Sequence, residues 1–469
     1  MALRSSETPL PGSGLTAPRP QESFRRRWVI VGLLFLFILI NFGDKAVIGL
    51  AAGPIREELG LTATEFGLLA SAFYFLFSVA ALGVGFISNR MSSKWLLIVL
   101  AAVWTIALVP VAGTVSFTAL MISRIALGAG EGPAYPLAIH TAHQWFPNNR
   151  RNIPTALITA GSTIGVVVAG PGLTWIITHY NWHVAFALLG ACSAVWGVVW
   201  LFIGKEGPLS SRAKPGTPAV AIPTDSSAAA AGGTGAVRAA GATKAAVHAA
   251  AKQLRKVSYW QLFRSGTFLG ALFVCFCHYW SLAVLVAWVP SYLHTVMGFS
   301  TTEVGTIIVL PWLVGAGGLM LQAVASQWLM DRGVSSRLAR GVFGGAGVVL
   351  SGIAIATLAW GPQGIIAVVA LVIGFEFGHM IQSVAMVVLA EIVPDSQRGA
   401  VQGTFLALLT FGGLVGPYVT GLMIDAAATP AQGYQHAWGL LAVLLIVSGT
   451  MAMVLIRPEK AILRLQKAL

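Results

Sequence analysis

An apolar run long enough to cross a bilayer appears twelve times along the chain, near 29–50, 67–88, 95–113, 117–145, 153–178, 184–204, 268–290, 303–328, 341–360, 364–391, 399–424 and 437–456. About 20 such residues suffice for a helix to span the hydrocarbon core, where only helices and closed barrels satisfy every backbone group. The expected fold is therefore an all-α membrane protein with twelve transmembrane helices. Composition agrees, since 56% of the 469 residues are hydrophobic, only 10% are charged and the mean hydropathy is +0.79, which excludes a soluble enzyme. Cys192, Cys275 and Cys277 all fall inside apolar runs. They read as small core residues, not as a disulfide framework or a metal knuckle.

The formal charge of +13 could suggest nucleic acid, but its placement argues against that. Of 29 Lys and Arg, 26 lie in the N-terminal tail, in alternate connections and in the C-terminal tail. Only Arg56 lies on the other side, and Lys45 and Arg124 fall within spans. The positive-inside rule then places both termini in the cytoplasm of a multi-pass plasma (bacterial inner) membrane protein. The chain divides into a polar, Pro-rich disordered tail (1–28), a six-helix bundle (29–204), a linker rich in Ala, Gly, Thr, Pro and Ser (205–261), a second six-helix bundle (262–457) and a C-terminal tail (458–469). The last part of the linker reads equally as a basic helix on an anionic leaflet or as flexible coil.

Three landmarks recur at nearly constant spacing. Arg90 and Arg332 are 242 residues apart, Pro147 and Pro394 are 247 apart, and Pro171 and Pro417 are 246 apart. Two parallel halves around a midplane site are a transporter architecture.

Charges inside the spans mark the candidate site, because each ionised group in lipid costs a few kcal/mol and defaults to a pathway role. Arg124 and Glu131, seven apart, share a helix face about 10 Å apart along the axis, too far for a direct ion pair. Asp44 and Lys45 are adjacent and point about 100° apart, so they cannot face one partner. Lys45 is either an anchor for an anion or the partner of a neighbouring acid. Glu376 and His379 share a face of the tenth span, as a proton relay or as a self-satisfied pair. Gln382 follows in the same span. His278, Tyr279 and Ser281 form a polar patch in the seventh, and Thr404 and Thr410 lie in the eleventh. His140 and His143 lie toward the end of the fourth span, where a histidine is more often a capping group.

Five stretches carry a resemblance: NFGDK, SAFYFLF (which contains Tyr74), SRIALGAGEGPAYP followed by WFPNNRR, NWHVAF, and WVPSYLHTVMGFS. With the basic loops and the six-plus-six layout, they make the chain resemble the major facilitator superfamily and, within it, the anion:cation symporter family of hexonate, hexuronate and phthalate carriers. The resemblance implies that Arg124 binds the anion or holds the proton site in place, and that Glu131 is protonated and deprotonated during transport. Asp44 is the second candidate for that task. Lys45 stands where many members have Arg, keeping the charge but losing the planar fork. Phe42 and Phe77 stand where sugar-acid carriers tend to have tyrosines, which suits an aromatic or short aliphatic acid. The loops around Arg90, Asp331 and Arg332 are expected to latch one gate, although Asn89 replaces the usual acid in the first.

The expected function is uptake of an organic carboxylate with protons by alternating access, with sodium the alternative coupling ion and a monomer the family's implication. An exchanger or exporter of the same fold, and a carboxylate-sensing receptor, are the competing readings. No nucleotide loop, metal-ligand spacing or nucleophile constellation stands in the sequence, so neither an enzyme nor a cofactor is expected.

Overall fold

The computed structural model describes residues 24–87, 91–147, 150–209, 257–361 and 364–467. Its membrane helices, in chain order, are α1 (Arg25–Leu50), α2 (Ala63–Val84), α3 (Ser93–Ala112), α4 in two pieces (Phe117–Glu131 and Ala134–His143), α5 (Ile153–His179), α6 (Trp182–Ile203), α7 (Gly266–Thr295), α8 (Thr301–Asp331), α9 (Arg337–Trp360), α10 (Ile365–Ile392), α11 (Gln397–Asp425) and α12 (Pro430–Leu455). Twelve crossings result, all helical.

The fourth span is not the continuous helix expected over 117–145. It breaks at Gly132 and Pro133, because a proline ring clashes with the preceding turn and offers no N–H to the ladder. The tenth span is interrupted at the corresponding depth, where Phe377–His379 forms a tighter three-residue turn. Arg25, Arg26 and Arg27, expected in the tail, are helical, and residues 1–23 lie outside the described residues. The C-terminal segment is also ordered as a helix, Pro458–Lys467, which buries Ala461, Ile462 and Leu465 against the bundle. Arg90, Asn89 and linker residues 210–256 lie outside the described residues.

Between apolar helices in lipid there is little hydrophobic drive, so close packing rests on small residues. Gly128 and Gly132 press α4 onto the backbone of α2. A Cβ at either would lie 2.9 Å from the carbonyl carbon of Phe73 or Phe77 respectively. Aromatic stacks fill each half: Phe37 lies 4.5 Å from Trp104 in the first, and Tyr434 lies 5.7 Å from Trp438 in the second.

The halves meet chiefly along α2–α11, α1–α7 and α5–α8. Among the described residues, the hydrogen bonds between them run from mid-membrane to the end opposite the termini. Ser78 and Thr410 share a hydrogen bond, Tyr418 N donates to Ser71 Oγ at 3.1 Å, and the Asp425 carboxylate accepts from Ala63 N (3.0 Å) and Thr64 N (2.6 Å). Asp425 thus satisfies the free N–H groups at the start of α2, a helix of the other half. The molecule is closed at the far end.

Candidate substrate and proton site

The charged residues of the spans converge at mid-membrane. Asn41 and Lys45 lie one turn apart on α1, and Lys45 Nζ donates to Asn41 Oδ1 at 2.6 Å. The same ammonium lies 3.1 Å from Glu131 Oε2 on α4, an ion pair with Lys45 15% and Glu131 0% exposed. It also sits 4.3 Å from the Phe42 ring centroid and 5.6 Å from that of Phe77, within cation–π range. One cation is therefore held by an amide, a carboxylate and two aromatic faces. Of the two roles open to Lys45, the closed structure shows the pairing with an acid.

Arg124, almost fully buried, lies 5.2 Å from the Phe73 ring centroid, and its Nε and Nη1 have no hydrogen-bond partner among the described residues. As its spacing requires, it is not paired with Glu131. Lys45, Tyr74 and Arg124 line a small cavity of about 10 Å³ against Ala283, Val286 and Ala287 of α7. That is room for about one water. Asp44 is fully buried, and neither carboxylate oxygen has a hydrogen-bond partner among the described residues. Phe42 and Tyr74 reach the second half, at 5.7 Å from Trp312 and 6.0 Å from Tyr279 between ring centroids.

A second buried polar group lies in the other half. Glu376 lies against Gly315 of α8, where an added Cβ would come within 2.8 Å of its carboxyl carbon. His379 packs edge-on against His278 of α7, ring centroids 5.0 Å apart. Glu376 and His379 are not hydrogen-bonded to each other, so of the two expected readings they are not a self-satisfied pair: Glu376 packs against α8 and His379 against α7. His278 faces α10, so it is not a donor lining the Lys45 cavity. Gln382, half-buried, makes no hydrogen bond among the described residues. Thr404 Oγ1 donates to Ala400 O at 2.8 Å, while Thr410 bonds its own helix and Ser78.

The expected latch residues are engaged locally. Asp331 accepts from Gln327 Nε2 at 2.8 Å on the same helix, and the Arg332 guanidinium stacks 3.6 Å from the Trp328 ring centroid. What ties helices together at the termini end of the second half is Glu391, whose Oε2 accepts from Arg340 Nη1 (2.7 Å) and Ser336 Oγ (2.9 Å). The first half has a neutral version, in which Gln144 Nε2 donates to Ser93 Oγ at 3.0 Å. Ser93 and Ser336 are 243 apart and Gln144 and Glu391 are 247 apart, so the repeat spacing would have found both. His140 and His143 bond the side chains of Gln144 and Thr155, not the free backbone groups that a cap would satisfy.

A family model described as Major Facilitator Superfamily matches residues 34–387. Among curated proteins, the chain is 28% identical over 444 residues to the probable sulfoacetate transporter SauU of Cupriavidus necator, covering 93% of this chain and 95% of the relative. It is 27% identical over 418 residues to the hexuronate transporter of Bacillus subtilis (87% of this chain, 91% of the relative). It is 25% identical over 423 residues to the D-galactonate transporter of Escherichia coli (89% and 92%). Among solved structures, an inward-facing, occupied bacterial homologue of the human lysosomal transporter Spinster matches with a TM-score of 0.70 at 18% identity, covering 94% of this chain and 99% of that one. The chain belongs to the Major Facilitator Superfamily and is a membrane transporter, not an enzyme. Within that superfamily its relatives are consistent with the anion:cation symporter family.

Proposed function

We propose that the protein is a secondary active transporter that takes up an organic carboxylate together with protons, from a bacterial inner membrane in which both termini are cytoplasmic. The observation that carries this reading is the Lys45–Glu131 ion pair at 3.1 Å, beside an Arg124 guanidinium with unpartnered nitrogens. A substrate carboxylate arriving between the halves and the Glu131 carboxylate compete for one ammonium. Each carboxylate on that ammonium weakens the hold of the other, so a proton on Glu131 releases Lys45 to the substrate. Arg124 supplies a second donor face to the same anion. Proton and anion then bind with positive coupling, which is what symport requires.

The substrate we assign is an aromatic or short aliphatic acid poor in hydroxyls. Phe42 and Phe77 flank Lys45 with apolar faces, and a substrate hydroxyl left there without a partner costs about 1–3 kcal/mol. An anion exchanger of the same fold is the alternative reading. Uptake into proteoliposomes, with benzoate-like, phthalate-like, short-chain and sugar-acid anions, decides between them. Gradient-driven accumulation that is lost in Glu131→Gln while binding survives is the expected result. Equal flux with and without a proton gradient makes the protein an exchanger or facilitator.

A further inference from the structure

We propose that the protein carries a built site for the phosphate of an anionic phospholipid, in the cleft between the start of α7, the end of α12 and the terminal helix Pro458–Lys467. The cleft measures about 650 Å³ and is lined by Arg264, Arg457, Lys460 and Arg464. Arg264 stands two residues before α7 begins, and Arg457 two residues after α12 ends. The charges therefore lie where the hydrocarbon core gives way to headgroups.

Among the described residues none of the four cations is in an ion pair, and the nearest acid in sequence, Glu459, is turned to accept from Arg337 N at 3.2 Å. Four like charges in one cleft repel each other, and an anion relieves that repulsion. Trp260 is 68% exposed at the rim, its ring 5.3 Å from the Arg264 guanidinium, in the amphipathic position that aromatic belts occupy. Beside the charges the lining is apolar, with Val454, Leu455, Ala461 and Leu465 offering contact to acyl chains. The terminal helix fits this role, with one face on the bundle and Lys460 and Arg464, one turn apart, on the cleft. This site is independent of the transport reading.

Inorganic phosphate shares the headgroup chemistry but lacks the chains, which separates the two sources. The full-length protein in detergent is titrated with phosphatidylglycerol or phosphatidylcholine of the same chain length, and native mass spectrometry counts retained lipid. Phosphatidylglycerol is expected to be retained preferentially, with retention falling at least about tenfold in Arg264→Gln/Arg464→Gln. Millimolar inorganic phosphate should not displace it. Should that variant elute as misfolded protein, Lys460→Gln/Arg464→Gln, confined to exposed positions of the terminal helix, serves the same comparison. Equal retention of both lipids, or unchanged retention in a folded variant, overturns the proposal. Displacement by phosphate alone overturns the lipid assignment and makes the cleft a free-anion site.

Discussion

Glu131 and Glu376, 245 residues apart, each close the first segment of an interrupted membrane helix with a buried carboxyl. The spacing is that of the repeat, so the two are counterparts in the two halves. Their surroundings differ: Glu131 meets Lys45, whereas Glu376 meets Gly315 and no cation.

That asymmetry predicts different phenotypes for the two amide variants. Glu376→Gln should leave substrate affinity within about twofold, because the anchoring cations are all in the first half. Glu131→Gln should tighten anion binding at alkaline pH by roughly 5- to 150-fold, the span of a typical coupling energy, and flatten its pH dependence. In the unaltered protein, binding should weaken as pH rises, since the deprotonated Glu131 competes for Lys45. Isothermal titration of all three proteins between pH 5.5 and 8.5 is the check, and equal effects of the two variants would refute the assignment.

A buried ion pair broken from one side leaves an uncompensated charge. Lys45→Met should therefore destabilise the closed state by about 3–5 kcal/mol, and Lys45→Met/Glu131→Gln should recover most of that loss. Thermal unfolding in detergent reads the cycle. Additive losses would show that the 3.1 Å contact carries no coupling.

Asp425 caps α2 across the interface between the halves. Replacing it by Ala should cost about 1 kcal/mol of the closed arrangement, a roughly fivefold shift toward opening at the far end. In a background lacking Cys192, Cys275 and Cys277, a cysteine replacing Ala70 on the cavity wall should label about five times faster from that side. Unchanged labelling would mean the cap does not hold the gate.

Outside the membrane spans, Glu58 joins the short helix Ala52–Leu59, which follows α1, to α6. Its Oε1 lies 2.9 Å from His183 Nε2, its Oε2 accepts from Trp182 Nε1 at 2.7 Å, and His183 Nδ1 lies 2.8 Å from Val111 O. The His183 hydrogen bond holds the Glu58 carboxyl below the usual carboxylate range. A carboxyl lowered by folding contributes stability that is complete above its unfolded value and is lost as pH falls through the folded one. The melting temperature should thus drop below about pH 4.3, and Glu58→Gln should remove that part of the decline. A variant with the unaltered pH profile would exclude the interaction as a contributor.

The crossings and the two halves were legible because lipid forces helices and because the length of an apolar run is written in consecutive residues. The separation of Arg124 from Glu131 followed from helix geometry alone. The partner of Lys45 was not legible, since Glu131 lies on another helix and only packing decides which acid it meets. The break in α4 was open to detection: Gly132-Pro133 is a breaker signal inside an apolar run, hidden by reading hydropathy before turn chemistry. Asp331 and Arg332 make only local contacts in a molecule closed at the opposite end, a state in which a latch at the termini end is not engaged. Arg340 and Glu391 were missed, looking like ordinary loop charges until the fold set them 2.7 Å apart.

The two glycines that seat α4 on α2 fix more than a helix contact. With Gly128 against Phe73 and Gly132 against Phe77, the aromatic wall and the residues Arg124 and Glu131 are bolted into one piece. That piece resists shear, because either contact leaves no room for a Cβ. Under the proposed transport cycle Arg124 and Glu131 therefore travel together as cargo of the first half, and the second half, which among the described residues brings no cation to them, works as the shutter that covers one opening or the other.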